Sequence, residues 1–272
     1  MTTIDSSIEA YPTVHGLSIA LVEGVLSITM NRPDSLNALT EAMMTGIADA
    51  VERAGSDERV RVVRLGGAGR GFSSGAGISE GDQKSGGGSS ATKIIGEANR
   101  AVRSIAALPK PAVAVVHGPA AGVAASLALV CDVVLASEKA FFMLAFTKIA
   151  LMPDGGASAL VAAAVGRIRA MRMALLAERI PAREAFDWGL VTAVYPDDTF
   201  DAEVDKVVAT LVSGPAVALR KTKEAINAAT LTGLEGAFER EMVGQSALIR
   251  SHDFKEGTLA FQQRRSPTFT DT

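Results

Sequence analysis

Two β-rich runs, Val60–Leu65 and Ala112–Val116, each lead into a turn made almost wholly of small residues. The first turn is Gly71-Phe72-Ser73-Ser74-Gly75-Ala76-Gly77-Ile78. The second is His117-Gly118-Pro119-Ala120-Ala121-Gly122, and it opens an apolar stretch, Val123 to Val130, with helical character. Small residues let a backbone approach a ligand closely, and unpaired N–H groups at a turn or helix start are donors for a developing negative charge. Two such turns in one chain suggest a two-donor oxyanion hole built from main chain.

The rest of the pattern shows where those turns sit. Leu17–Val22 and Val25–Met30 read as a hairpin around Glu23-Gly24. Thr40 is a plausible N-cap for a helix with apolar positions Met43, Met44, Ile47, Val51 and Ala54. A helix over Thr92–Leu108 stops at Pro109, and further short strands are expected at Val133–Leu135 and Val191–Val194. Strands alternating with helices in this way argue an α/β fold. After Asp197 the strands cease, and Phe200–Val212, Pro215–Thr230, Gly233–Arg250 and His252–Arg264 all read as helices. The expected organisation is a loose tail over residues 1–15, a core over 16–200 and a helical region over 201–272. The stretch Gly81–Ser90 is low in complexity and poor in apolar residues. It reads either as a cap over the neighbouring site or as a plain surface loop.

Composition removes several function classes. The formal net charge of −3 lacks the basic field of a nucleic-acid binder. A single cysteine, Cys131, excludes an intrachain disulfide and fits a reducing, cytoplasmic setting, with Cys131 as a small core residue. The longest apolar run, Val113–Leu135, is interrupted by His117, Gly118, Pro119, Gly122, Ser126 and Asp132, so it reads as strand, turn and helix rather than as a membrane span. The first fifteen residues have no signal-peptide character. With three histidines and no clustered ligands, no metal site is expected.

An ordered set of motifs resembles the crotonase (enoyl-CoA hydratase/isomerase) superfamily over about Leu17 to Phe269. The set is Asn31-Arg32-Pro33 with Leu36-Asn37-Ala38-Leu39, Phe72-Ser73-Ser74-Gly75-Ala76, His117-Gly118 through Cys131-Asp132, Phe146-Thr147-Lys148-Ile149 with Pro153-Asp154-Gly155-Gly156, Ala185 with Gly189-Leu190-Val191, and Phe254-Lys255-Glu256-Gly257. The resemblance implies a spiral of ββα units followed by a helical C-terminal segment that packs in a trimer or a dimer of trimers. It also implies an acyl-CoA substrate and no separate cofactor, coenzyme A being part of the substrate. The oxyanion donors would be the backbone N–H groups of Ala76 and Val123, the latter at a position that is normally Gly in the family. The acyl-CoA site would draw on Ser35, Asn37, Ala38, Ser74, Gly75, Gly77, Ile78, Gly122, Ser126 and Phe146. Lys148 and the tail pair Arg264-Arg265 are candidates to face phosphates of coenzyme A or to be simply solvated.

The chain departs from the family pattern at its acids. Hydratases of the family use two glutamates to hold and activate water, and here those positions are Ser126 and Phe146. Neither is a carboxylate base. Asp154 matches an acidic position that some family isomerases use, and one carboxylate is enough to move a proton between C2 and C4 of an enolate. Its Asp-Gly-Gly context equally fits an N-cap for a helix starting near Ala157. Three readings follow: a 3-enoyl to 2-enoyl isomerase using Asp154, a hydratase with substituted acids, and a non-catalytic acyl-CoA binder.

Overall fold

The strict alternation of burial along Val25–Met30, with Leu26, Ile28 and Met30 turned fully inward, marks a strand with one face on a core. In the computed structural model, which describes residues 10–77 and 91–271, this strand (β2) pairs antiparallel with β1 (Leu17–Val22) as the expected hairpin. From β2 outward every pairing is parallel, through β3 (Val62–Gly67), β4 (Ala112–Val116), β6 (Val133–Ser137) and β9 (Ala193–Tyr195). The sheet order is β1-β2-β3-β4-β6-β9.

Both faces of this sheet are covered, as parallel sheets require. Helices α1 (Glu41–Ser56) and α2 (Ala91–Ala107) contribute Met43, Met44, Ile47, Val102 and Ile105 to the main core. The Thr40 hydroxyl accepts from the Met43 amide at 3.3 Å, so α1 starts where its cap was expected. A second cluster joins Val62, Val113, Val115 and Leu135 of the sheet to Phe200, Val204 and Val208 of α6 (Phe200–Ser213).

A second, three-stranded sheet of β5 (Pro119–Ala121), β7 (Phe141–Met143) and β8 (Ile180–Pro181) was not foreseen from the sequence. Strands of two or three residues are too short to show a period of two. They nonetheless make the spiral. After β3, β4 and β6 the chain turns, and Ser73, β5 and β7 line up in parallel as the second layer, through the Ser73–Ala120 bridge and the β5–β7 ladder. The architecture is therefore α/β, a spiral of ββα turns. It is followed by the helices α6, α7 (Ala216–Thr230), α8 (Leu234–Leu248) and α9 (His252–Gln262), with no strand between them among the described residues. The other helices are α3 (Val123–Leu129), α4 (Ala157–Leu176) and α5 (Ala182–Asp187). No helix among the described residues is long and apolar enough to cross a membrane.

The expectation of a loose tail over residues 1–15 needs correction at its inner end. Tyr11 packs under the Arg53 guanidinium, 4.5 Å from ring centroid to Cζ, and donates its hydroxyl to Asp57 at 3.2 Å. Arg53 also donates to the Ala10 carbonyl at 2.9 Å, and Val14 lies over Gly46. One aromatic ring with a polar tip thus ties residues 10–15 to the last turn of α1.

Candidate active site

The first small-residue turn is held from below by Asn37. This fully buried residue, at φ 57°, accepts the Arg32 amide on Oδ1 at 2.8 Å and donates from Nδ2 to the carbonyls of Ala68 and Gly71, each at 2.8 Å. Its donors are spent on main chain, so this side chain serves as a scaffold for the turn. Ala38 gives its carbonyl to Arg32 Nη1, and Ser35 gives its carbonyl to the Ser74 hydroxyl at 3.2 Å. The Ser73 hydroxyl donates to the Asn37 carbonyl at 2.8 Å and accepts the Gly75 amide at 3.1 Å.

This scaffold decides which way the Ala76 amide faces. The Leu39 amide donates to the Gly75 carbonyl at 2.8 Å and the Gly77 amide to the Leu39 carbonyl at 2.9 Å. In a parallel bridge of this register the intervening residue, Ala76, turns its own N–H to the opposite side. On that side lies the second turn. A Cβ on Gly75, whose φ is 92°, would sit 2.7 Å from the Ala121 carbonyl oxygen, so only glycine permits the approach.

The second turn ends in Gly122, at φ 56° and ψ −135°, whose amide donates to the Met143 carbonyl at 2.9 Å. Val123 is then the first residue of α3, where an amide has no partner within its own helix. The valine side chain at this normally glycine position is buried in the core, with Cγ2 3.1 Å from where a Cβ of Gly155 would be. The missing side chain of Gly155 makes the room that Val123 uses. Phe146, in a 3₁₀ turn over Ala145–Ile149, brings Cζ to 4.0 Å from the position of a Gly122 Cβ. Ser126 is fully buried and donates its hydroxyl to the Asp154 carbonyl oxygen at 2.9 Å. It buckles α3 to the loop that carries Asp154.

Asp154 is not the cap of α4. That role falls to Gly156, and the amides at the helix start are satisfied from far away. Glu241 of α8 accepts the Gly156 amide at 2.7 Å and the Ser158 amide at 2.9 Å, and takes the Ser158 hydroxyl as well. Asp154 is buried, the residue as a whole 7% exposed; Oδ2 accepts from Gln245 Nε2 at 2.8 Å, and Oδ1 is buried without a hydrogen-bond partner among the described residues. Burial pushes its pKa up to about 7, with Glu241 adding to the rise and the Gln245 hydrogen bond opposing it. A buried carboxyl with a raised pKa and an unused oxygen has the makings of a proton carrier at neutral pH.

The structure thus gathers Leu36–Leu39, Ser73–Gly77, Gly122–Ser126, Phe146 and Asp154 into one region. Ile78 and the Gly81–Ser90 stretch lie outside the described residues. A separate cavity of about 490 Å³ lies between the C-terminal tail and the Phe146 turn, lined by Lys148, Phe261, Arg264, Arg265 and Phe269. Arg265 is engaged there with Glu256, which it holds down to a pKa of about 2. Sequence reasoning missed Glu241 and Gln245. The signal was present: both lie on the buried stripe Leu234, Ala237, Phe238, Glu241, Gln245, where polar residues demand partners.

Known proteins share this fold. An enoyl-CoA hydratase/isomerase family profile matches residues 21–272, nearly the whole chain. The chain belongs to the enoyl-CoA hydratase/isomerase family. Within the family, the crystal structure of an enoyl-CoA hydratase from Mycobacterium avium subsp. paratuberculosis K-10 is 68% identical. It superposes with a TM-score of 0.90, covering 95% of this chain and 100% of that one. The 1,2-epoxyphenylacetyl-CoA isomerase of Escherichia coli (strain K12) is 36% identical over 253 residues, 91% of this chain and 95% of the relative. A probable enoyl-CoA hydratase of Rhodobacter capsulatus is 39% identical over 256 residues, 94% and 98% of the two chains. Relatives named as isomerase and as hydratase therefore both stand near this chain.

Proposed function

We propose that this protein is an acyl-CoA double-bond isomerase that converts 3-enoyl-CoA to 2-enoyl-CoA through a dienolate, with Asp154 as the base. The observation that carries the reading is the Asp154 carboxyl: buried, freed from capping, and left with one unpartnered oxygen, on a loop whose main chain Ser126 ties to α3. Asp154 takes a proton from C2, and the electron pair of that C–H bond spreads over the dienolate and the thioester oxygen. The amides of Ala76 and Val123 hold that oxygen. The same carboxyl returns the proton to C4, the double bond moves to C2–C3, and no atom is gained or lost.

Hydration needs a group that activates water, and the two positions that supply it in family hydratases carry Ser126 and Phe146. The Ser126 hydroxyl is occupied by the Asp154 carbonyl, and the Phe146 ring fills space against Gly122. One relative is named for isomerising an epoxide and another for hydration, so the choice between the readings rests on the residues at the site. In this reading the coenzyme A phosphates reach the cationic cavity at Lys148 and Arg264. The decisive assay follows both reactions in one preparation. Isomerisation of 3-enoyl-CoA is expected to exceed hydration of 2-enoyl-CoA by at least about tenfold, whereas faster hydration means a hydratase with substituted acids. Tight binding with neither turnover means a non-catalytic acyl-CoA binder.

The same reading includes assembly into trimers. Helix α7 spans 15 residues with none buried in the single chain, held by Lys223 on the carbonyls of Ile105 and Lys110 and on Asp132. Val217 (67% exposed), Val243 (74%) and Phe261 (63%) add apolar surface nearby in sequence on α7, α8 and α9. Exposed apolar side chains on successive helices call for a covering surface. Light scattering at micromolar concentration should give three or six times the chain mass, and a monomer would remove this part of the reading.

A further inference from the structure

The hydrogen bonds around Asp154 divide its two oxygens, and the divider comes from the C-terminal helices. We propose that Gln245 is a positioning residue for Asp154: it pins Oδ2 and so leaves Oδ1 as the one oxygen that moves the substrate proton. The proposal rests on the reading of Asp154 as the base and deepens it.

Gln245 is fully buried on α8, one helical turn after Glu241, and its two ends are both used. Oε1 accepts the Met152 amide at 3.4 Å, and Nε2 donates to Asp154 Oδ2 at 2.8 Å. Because a main-chain donor lies at one end and a carboxylate at the other, the amide has one sensible orientation. A carboxylate is two-fold symmetric and turns easily about its last bond. A proton taken from one carbon and returned to another needs the same oxygen held still over both, and misplacement by an ångström costs heavily. Gln245 supplies that hold with a neutral donor, which steadies the charged form without the strong fall in basicity that a guanidinium would impose. The groups facing the carboxyl from packed elements fit this role. The Ser126 hydroxyl of α3 is committed to the Asp154 main chain, and Glu241 of α8 is the charged group that acts on it. The helical region thereby becomes part of the catalytic apparatus as well as a packing element.

The test is the pH profile of 3-enoyl-CoA isomerisation by the full chain carrying Gln245→Met, which keeps the size and removes both hydrogen bonds. Loss of a donor to the ionised form should move the acid limb of kcat upward by roughly one pH unit, lowering kcat by roughly fivefold at about pH 7 and roughly tenfold well below the limb. KM is expected to stay within about twofold, since the ligand contacts are untouched. A residue that only packs would lower the folded fraction and leave the acid limb in place, and that outcome overturns the proposal. If Gln245→Met does not fold, Gln245→Glu carries the test, because it retains an acceptor for the Met152 amide. Its carboxyl then shares a proton with Asp154, and the limb should again rise. An unmoved limb in that variant also overturns the proposal. Asp154→Asn separates the layers. Wild-type turnover in that variant removes the base itself and the positioning role with it. An inactive Asp154→Asn beside a Gln245 variant with an unmoved limb removes the positioning role alone.

Discussion

Asp154→Asn is expected to lower isomerisation by roughly a hundredfold or more, the usual contribution of a general base, and to do so without loosening the fold. The substitution keeps the side-chain shape, and the asparagine oxygen still accepts from Gln245 Nε2 where Asp154 Oδ2 does now. It disturbs no helix cap, because Glu241 and Gly156 perform that function. The kcat of the native protein should rise with pH through about 7, where Asp154 ionises, and level off above it.

The same pKa makes a stability statement with a definite sign. Burial raises the folded-state pKa of Asp154 from the ordinary 3.8 to about 7, so the native state holds its proton more tightly than the unfolded chain does. That contribution is fully present below the unfolded value, declines as pH rises through the interval, and is gone above the folded value. Relative to the native protein, Asp154→Asn should therefore gain stability on going from pH 4 to pH 8, by on the order of a few kcal/mol. Denaturant unfolding at the two pH values measures the difference directly. A gap between the two proteins that does not change with pH would mean that the carboxyl is not buried in the folded state. Activity lost with stability gained at high pH is the pattern expected where a site keeps a group that the fold alone would discard.

Elements whose causes are local were readable in the letters. Thr40 capped α1 because the cap and its partner Met43 are three residues apart, and Gly24 turned the β1–β2 hairpin at φ 83° for the same kind of reason. The four C-terminal helices were visible from their apolar spacing. Elements whose causes are distant were not. β5, β7 and β8 exist because other turns of the spiral lie beside them, and two or three residues hold no pattern of their own. The ambiguity at Asp154 had the same origin. Asp-Gly-Gly before a helix is a reasonable cap by local rules, but the group that takes over the capping, Glu241 on α8, lies 85 and 83 residues from the Gly156 and Ser158 amides it accepts. The Asn37 motif likewise gave no local sign that its side chain holds the chain at Ala68 and Gly71, more than thirty residues on.

Proline scanning of the two turns should locate the oxyanion donors, because among the described residues no main-chain bond outside the helices and strands uses the Ala76 or Val123 amide. The ladder around Leu39 uses the Gly75 carbonyl and the Gly77 amide and passes over the Ala76 N–H. Val123 is the first residue of α3, a position where proline is well accepted and the N–H is unpaired in any case. On the proposed reading, Ala76→Pro and Val123→Pro each delete a donor to the ligand while sparing the backbone hydrogen bonds seen in the structure. Each should reduce kcat by roughly 10²–10³, the measured scale for one oxyanion donor. Gly77→Pro supplies the contrast: its amide bonds the Leu39 carbonyl at 2.9 Å, so the expected loss there is in melting temperature first and in activity only as a consequence. Thermal melts run beside the kinetics separate the cases. If Ala76→Pro or Val123→Pro melts like the native protein and turns over 3-enoyl-CoA at the native rate, that amide does not hold the thioester oxygen. The enolate would then need a different donor set.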